Sequence, residues 1–200
     1  SHGGVWGVAR ALRLEHAGLR TQSADVACGV SIGATAVTSA ASAEAELAWR
    51  ADACCSARLR ASSGCGKGSG LLSPGAYAIT GGLGGLGLRA ATLLAGGGAA
   101  LLVLASRGGR VARSEQGLAA RLESLGAAAA VRACDNADPS DTRALVGWSQ
   151  PLVGVLHAAG MGDEGLLMGL DARRMQWMFG PKACGAWWLH CGVATAPLEA

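Results

Sequence analysis

Residues 76–200 predict an α/β fold built on a doubly wound parallel sheet, and three observations carry that reading. Strand-like and helix-like segments alternate through this part of the chain, the order that builds βαβ units with right-handed crossovers. A glycine-rich turn separates the first strand from the first helix. Composition is the third. Of 200 residues, 50% are hydrophobic and 16% charged, and mean hydropathy is +0.31, too apolar for a disordered chain. Much of that content is alanine, Gly numbers 32, and only Lys67 and Lys182 are lysines among seventeen basic residues. The bias toward Ala, Gly and Arg looks like a coding preference, so single surface alanines and glycines carry little structural weight.

From the N-terminus, residues 4–16 read as a helix. Val5, Val8, Ala9, Leu12 and His16 recur at helical spacing, which turns Arg10 and Arg13 outward. Residues 21–26 read as a short extended piece and 27–42 as a loop. Residues 45–50 and 54–60 alternate apolar and polar positions on either side of 51–53, the pattern of a β-hairpin. Residues 61–75, rich in Gly and Ser, read as a linker between two domains. The run Gly64-Cys-Gly-Lys-Gly68 is no phosphate loop. Ala61 stands where GxxxxGK[ST] needs its first glycine, and Gly68 replaces the hydroxyl residue.

Beyond the linker, strands are expected at 76–80, 100–105, 129–134 and 152–157. Helices are expected at 85–95, 114–125, 141–148 and 171–190. Met168, Met175, Trp177 and Met178 fall near helical spacing and read first as core packing. The longest strongly apolar run, 99–105, is far short of the ~20 residues of a membrane helix. No signal or targeting segment is visible, and the chain opens on Ser1, which leaves room for an upstream segment. Net charge is +3 and the arginines are scattered without interleaved aromatics, which argues against nucleic-acid binding. Seven cysteines form no CxxC pair, so neither a disulfide framework nor a metal site is expected. That usage fits a reducing compartment, the cytoplasm, with a plastid left open.

The chemistry concentrates after the first strand. Tyr77-Ala-Ile-Thr80 ends that strand, and Gly81-Gly82-Leu83-Gly84-Gly85-Leu86-Gly87 opens the helix. Glycines allow a tight turn and close approach of a pyrophosphate to bare backbone, where a helix N-terminus offers free N–H groups. The second strand ends in Ser106-Arg107 with no carboxylate. An acidic residue there would bind a ribose 2′-hydroxyl, whereas arginine accommodates a 2′-phosphate, so NADPH is expected over NADH.

Five segments stand in order: Thr80-Gly-Gly-Leu-Gly-Gly-Leu-Gly87, Ser106-Arg107, Cys134-Asp-Asn-Ala-Asp138, His157-Ala-Ala-Gly160 and Pro181-Lys-Ala-Cys-Gly-Ala-Trp187. Over residues 75–200 they resemble the C-terminally truncated ketoreductase domain of modular type I polyketide synthases and fatty-acid synthases, a short-chain dehydrogenase/reductase branch. Residues 4–60 resemble the end of the structural subdomain just upstream in such enzymes. The resemblance implies an incomplete Rossmann-type sheet preceded by the end of a small α/β subdomain. It assigns 1–60 to that subdomain, 61–75 to the linker and 76–200 to the cofactor-binding part.

For single residues, the resemblance implies that Thr80, Gly81, Gly82, Gly84, Gly85, Leu86, Gly87, Ser106 and Arg107 bind the cofactor. Asp135 would meet the adenine, unless it is a turn or capping aspartate. Ala158, Ala159 and Gly160 would lie beside the nicotinamide ribose, with His157 a structural histidine closing its strand. Lys182 is implied as the catalytic lysine, its ammonium lowering the pKa of a tyrosine hydroxyl. The matching Ser, Tyr and Asn are expected beyond Ala200, because Tyr77, the sole tyrosine, precedes the glycine turn. Met161-Gly162-Asp163-Glu164 stands where many relatives carry Leu-Asp-Asp and departs from it, so no product configuration follows. The methionines and Trp177 could line an acyl pocket instead of packing in the core.

The implied activity is hydride transfer from NADPH to the β-keto group of a carrier-protein-bound acyl thioester. The implied partners are an acyl carrier protein with its phosphopantetheine arm and the other synthase domains. Two alternatives stay open: a free-standing short-chain dehydrogenase, and a catalytically inactive reductase fragment serving as scaffold.

Overall fold

The computed structural model describes residues 3–29, 44–50, 53–61, 72–111, 117–148 and 152–194. The expected loop at 27–42 and the linker at 61–75 lie largely outside these residues. The chain divides into two compact units, Ser1–Gly68 with Gly165–Leu170, and Ser69–Glu164 with Asp171–Ala200.

The first unit contains helix α1 (Gly3–Glu15) and strands β1 (Ser23–Val26), β2 (Glu46–Arg50) and β3 (Ala53–Cys55). β1 runs parallel to β2, and β3 pairs antiparallel with β2, Trp49 opposite Cys54. The hairpin is therefore present, but its second arm ends at Cys55 and not at Arg60. All three β3 residues are exposed, so alternation beyond them buries nothing that would extend the ladder.

Arg13 corrects the sequence reading more instructively. Its side chain is turned inward, 18% exposed, whereas Arg10 stays outward at 62%, and both reach Glu46. Arg10 donates to its two carboxylate oxygens at 2.6 and 2.8 Å, and Arg13 to one at 2.7 Å. Arg13 also reaches the Ser23 hydroxyl at 3.2 Å and the Ala45 carbonyl at 3.3 Å. Ala9 is buried while Val5 and Val8 are 67% and 55% exposed. The acceptor lies more than thirty residues along the chain, beyond the reach of helical periodicity. Hydrogen bonding to Arg10 holds the Glu46 carboxyl below its ordinary pKa. In the same unit, both Glu15 oxygens accept from the Leu167 backbone N–H at 2.9 Å.

The second unit runs β4 (Ala76–Thr80), α2 (Gly85–Gly96), β5 (Leu101–Ser106), α3 (Leu118–Leu125), β6 (Ala129–Ala133), α4 (Pro139–Val146) and β7 (Leu152–His157). Helices α5 (Ala172–Phe179) and α6 (Gly185–Val193) follow. The sheet order is β6-β5-β4-β7, and every pairing is parallel. The chain thus leaves β4 toward one side and later returns to its other side, a Rossmann-type topology.

Alternate residues feed two cores, one on each face. Ile79, Leu102 and Leu104 pack with Leu88 of α2 and with Leu118 and Leu125 of α3. Ala76, Ala78, Val103 and Ala105 pack with Leu145 of α4 and Leu189 of α6. Leu88, Leu102 and Leu104 are fully buried, each worth roughly 1.5–3 kcal/mol by transfer from water. Helices on both faces make this sheet doubly wound.

Helix boundaries depart further from expectation than strands do. α4 begins at Pro139 because Asp138 caps it, accepting from the Ser140 and Asp141 N–H groups at 2.7 and 3.1 Å. Asp141 is an interior residue of the first turn. The single helix expected at 171–190 is interrupted by a π-turn, Gly180–Cys184, which contains Pro181. Met168, Met175 and Trp177 are exposed, which corrects their core reading: α5 contributes no fully buried residue.

Gly87 and Gly85 differ in their surroundings although both lie in the first turn of α2. A Cβ on Gly87 would collide with the Gly81 carbonyl and lie 2.6 Å from the Gly82 Cα, whereas one on Gly85 would meet nothing within 4 Å. Gly87→Ala is expected to cost about 1–3 kcal/mol through overpacking, read as a lowered urea midpoint. Gly85→Ala should stay within ~0.5 kcal/mol of the parent, and equal losses would contradict this packing. The N–H bonds to Asp138 hold its pKa below the ordinary value. Its stabilising contribution is thus complete at neutral pH and fades as pH falls below about 4 and through the depressed folded pKa. Asp138→Asn should keep the cap and flatten that part of the acid limb in pH-dependent melting.

Candidate functional site

A cleft of about 760 Å³ follows the C-terminal ends of the four parallel strands. Open α/β sheets bind ligands in this crevice, where chain connections diverge from the central strand. The glycine turn forms its floor. Gly81 has φ +65°, and a Cβ there would lie 2.6 Å from the Ala158 carbonyl oxygen. A Cβ on Gly82 would lie 2.6 Å from the Ile79 carbonyl oxygen and 2.9 Å from the Leu104 Cα. Only glycine fits either place. Lateral bonds join the strand ends: Gly82 N–H donates to Ala105, Ala158 N–H to Thr80 and Cys134 N–H to Ser106, at 2.9, 3.0 and 2.9 Å. Gly84 caps α2 without a side chain, so the first-turn N–H groups and the helix dipole remain available to an anion.

Of the residues singled out in the sequence, Gly81, Gly84, Ser106, Arg107, Asp135, Ala159 and Gly160 line this cleft. Others do not. Thr80 is completely buried, its hydroxyl 2.7 Å from His157 Nδ1. Gly82 and Gly87 serve close packing. Gly85 and Leu86 face a separate concavity of about 420 Å³ with Arg89, Leu118 and Arg121. Ala158 enters through its backbone bond to Thr80. Lys182 is exposed on the π-turn, whose Gly180 and Pro181 line the cleft. Its stem passes Gly160, where a Cβ would come within 3.2 Å of Lys182 Cε.

Charge is divided across the cleft. Arg107 and Arg110 stand on the β5 side, and no carboxylate occurs from Ser106 to Val111. The Ser106 hydroxyl is buried and has no hydrogen-bond partner among the described residues. An orphan hydroxyl beside two guanidiniums fits an anionic oxygen-rich group. On the β6 side, Asp135 Oδ1 accepts from the Ala137 N–H at 3.0 Å, so the turn-aspartate role is real for that oxygen. Cys134 is pushed up to about 11 by burial and by the Asp141, Asp135 and Asp138 carboxylates, which keeps it a neutral thiol. Among the described residues, no three His, Cys, Asp or Glu side chains cluster to hold a metal ion, and no helix is long and apolar enough to cross a membrane.

Sequence reasoning gave no role to Arg110, Asn136 and Gln176, which line the cleft, and read Trp177 first as core packing, with a pocket lining as the alternative. Arg110 follows Arg107 at the same strand end and was readable as a second cation. Asn136 sat inside a recognised motif without a role. Gln176 and Trp177 belong to α5, whose strongly amphipathic pattern points outward from the core.

A family model described as "KR domain" matches residues 75–200. Erythronolide synthase EryA2 of Saccharopolyspora erythraea is 42% identical over 118 residues, 58% of this chain and 3% of that protein. The PKS-NRPS hybrid synthetase acdB of Aspergillus candidus is also 42% identical, over 60% of this chain and 5% of its own length. The chain therefore spans only a few per cent of these relatives. Among solved structures, A-type ketoreductases from a modular polyketide synthase match with TM-score 0.77 and 33% identity over 98% of this chain and 44% of theirs. The first ketoreductase of the tylosin synthase matches with TM-score 0.71 and 30% identity over 98% and 43%. With its parallel sheet, glycine turn and this family match, the chain belongs to the KR domain family, the ketoreductases of polyketide synthases.

Proposed function

We propose that the chain is part of an NADPH-dependent β-ketoacyl reductase, acting on an acyl thioester carried by an acyl carrier protein within a multidomain synthase. One observation carries the cofactor part: among the described residues, β5 ends in an orphan hydroxyl and in arginines without an ion pair, and no carboxylate occurs from Ser106 to Val111. In this reading Arg107 holds the 2′-phosphate with Ser106, and the Gly81 and Gly84 backbone receives the diphosphate. Asp135 accepts from the adenine amine with its second oxygen, which has no hydrogen bond among the described residues. Ala159 and Gly160 flank the nicotinamide ribose without side-chain bulk. The bound nicotinamide supplies the hydride. Lys182 places an ammonium at the rim, where it favours negative charge on a nearby hydroxyl. The carrier-protein partner rests on the multidomain character of the relatives. We read residues 1–60 as the end of the accompanying structural subdomain and 61–75 as the linker.

A second reading, a reductase segment kept as scaffold, is favoured by one observation. The sole tyrosine, Tyr77, lies at the start of β4 and donates its hydroxyl to the Ser73 carbonyl at 3.1 Å. These 200 residues bring no phenol to the cleft.

The charge-assisted Arg107 contact is worth roughly 1.5–3 kcal/mol. Arg107→Ala is expected to weaken NADPH binding about tenfold or more and leave NADH nearly unchanged, measured by calorimetry or fluorescence titration. Equal losses for both would overturn the assignment. The 200-residue chain alone is expected to bind NADPH weakly and to turn over no β-keto thioester. Supplied with the residues that follow it in the synthase, it should reduce the thioester, and Lys182→Ala should remove most of that activity. A binding-competent but permanently inactive extended protein would favour the scaffold reading.

A further inference from the structure

The proposed function gives the ring of His157 no role. His157 closes β7, and its ring joins the ends of three other elements. Nδ1 lies 2.7 Å from the Thr80 hydroxyl at the end of β4 and 3.3 Å from Asn136 Nδ2 beyond β6. Nε2 lies 3.2 Å from the Lys182 backbone carbonyl in the π-turn. Thr80 and Asn136 are 0% and 4% exposed, so neither has water as an alternative partner. Asn136 is itself fixed from behind, its Oδ1 accepting from the Cys134 thiol at 3.5 Å.

Donor and acceptor roles follow from chemistry. A carbonyl oxygen only accepts, so Nε2 must carry the proton. The Asn136 amide N–H can only donate, so Nδ1 is the acceptor and the Thr80 hydroxyl donates to it as well. These bonds hold the ring on both sides.

We infer that His157 is a positioning residue for Lys182, fixing the π-turn through its bond to the Lys182 carbonyl; this rests on the reading of Lys182 given above. A π-turn breaks the regular i→i−4 ladder, and here the Gly185 N–H divides between the Gly180 and Lys182 carbonyls. Such a segment lacks a full helical ladder to set its orientation. The His157 bond supplies a fixed point from the sheet. Gly160, three residues on in the same loop, leaves room for the Lys182 stem. One tetrapeptide, His157-Ala-Ala-Gly160, thereby holds the lysine's main chain and makes space for its side chain. Asn136 reinforces the seat: a Cβ on Gly185, directly after the π-turn, would lie 3.0 Å from its carbonyl oxygen.

The test exploits the presence of two lysines in the chain. Reductive ¹³C-methylation gives one dimethyl-amine resonance each for Lys67 and Lys182, assigned by Lys182→Met. In the full chain, His157→Phe is expected to move the Lys182 resonance to its unfolded-chain position and leave that of Lys67 unchanged. His157→Gln, whose amide N–H replaces the Nε2 donor, should restore it. Imidazole ¹⁵N spectra of the unsubstituted chain, needing no folded variant, should show His157 protonated at Nε2 and bare at Nδ1 at neutral pH. A proton on Nδ1, or a folded His157→Phe chain with an unmoved Lys182 resonance, overturns the inference; if His157→Phe does not fold, the tautomer decides. These readouts report how Lys182 is held, whatever it does. Failure of Lys182→Ala to reduce turnover in the extended protein would instead overturn the functional reading alone.

Discussion

Main chain packed directly on main chain at the glycine turn is the constraint from which the rest of this site follows. The Gly81 Cα faces the Ala158 carbonyl, Gly82 sits on the Leu104 backbone, and Gly87 brings α2 down onto Gly81 and Gly82. No side chain intervenes at any of these contacts. The ends of β4, β5 and β7 and the start of α2 therefore meet at backbone distance, and lateral N–H bonds lock them together. A floor made this way offers amide donors and a helix dipole but no side-chain identity. Selectivity must come from the periphery, where Ser106, Arg107, Asp135 and Trp177 stand.

The two faces of the sheet are unequal, and this determines which helices approach the site. Toward α2 and α3 the strands present Ile79, Leu102 and Leu104; toward α4 and α6 they present Ala76, Ala78, Val103 and Ala105. On the second face Gly185 seats against Asn136, and the Lys182 carbonyl comes within reach of a ring at the end of β7. The π-turn is then a local accommodation. Pro181, lacking an N–H, is tolerated where the regular ladder is already broken.

The parts legible in sequence share a physical character. β4 and β7 match the expected bounds residue for residue, because each is a short apolar run ended by sharp chemistry, here Gly81 and His157. The glycine turn was legible because backbone crowding admits no other residue. Illegible features depend on partners distant in sequence. Arg13 reads as a solvated helix residue until Glu46 is folded against it, and β3 reads long because Ala57 and Leu59 alternate with Arg58 and Arg60 although all four are exposed. The start of α4 was missed for a nearer reason, since Asp138 followed by Pro139 is itself a capping signal. The methionines and Trp177 show the limit of periodicity: spacing identifies a face but not which side of it meets water.

The acidic residues beyond β6 look at first like a poor neighbour for a nucleotide, and their hydrogen bonds explain why they need not be. Asp138 is engaged by the first turn of α4, accepting from two N–H groups. Asp141 accepts from the Asp135 N–H at 2.8 Å. Each of these charges is offset by backbone dipoles within its own turn. Asp135 keeps one carboxylate oxygen beyond its bond to Ala137, and it alone of the three lines the cleft. With Arg107 and Arg110 at the opposite wall, the cleft lining presents a single carboxylate across from two cations. A ligand carrying both an exocyclic amine and a phosphate has one low-energy orientation between such walls. Reversing it would set phosphate against carboxylate in a cleft whose partial burial weakens solvent screening. In the proposed reading, the glycine floor alone leaves the sense of a dinucleotide open, and the charges on the walls select it.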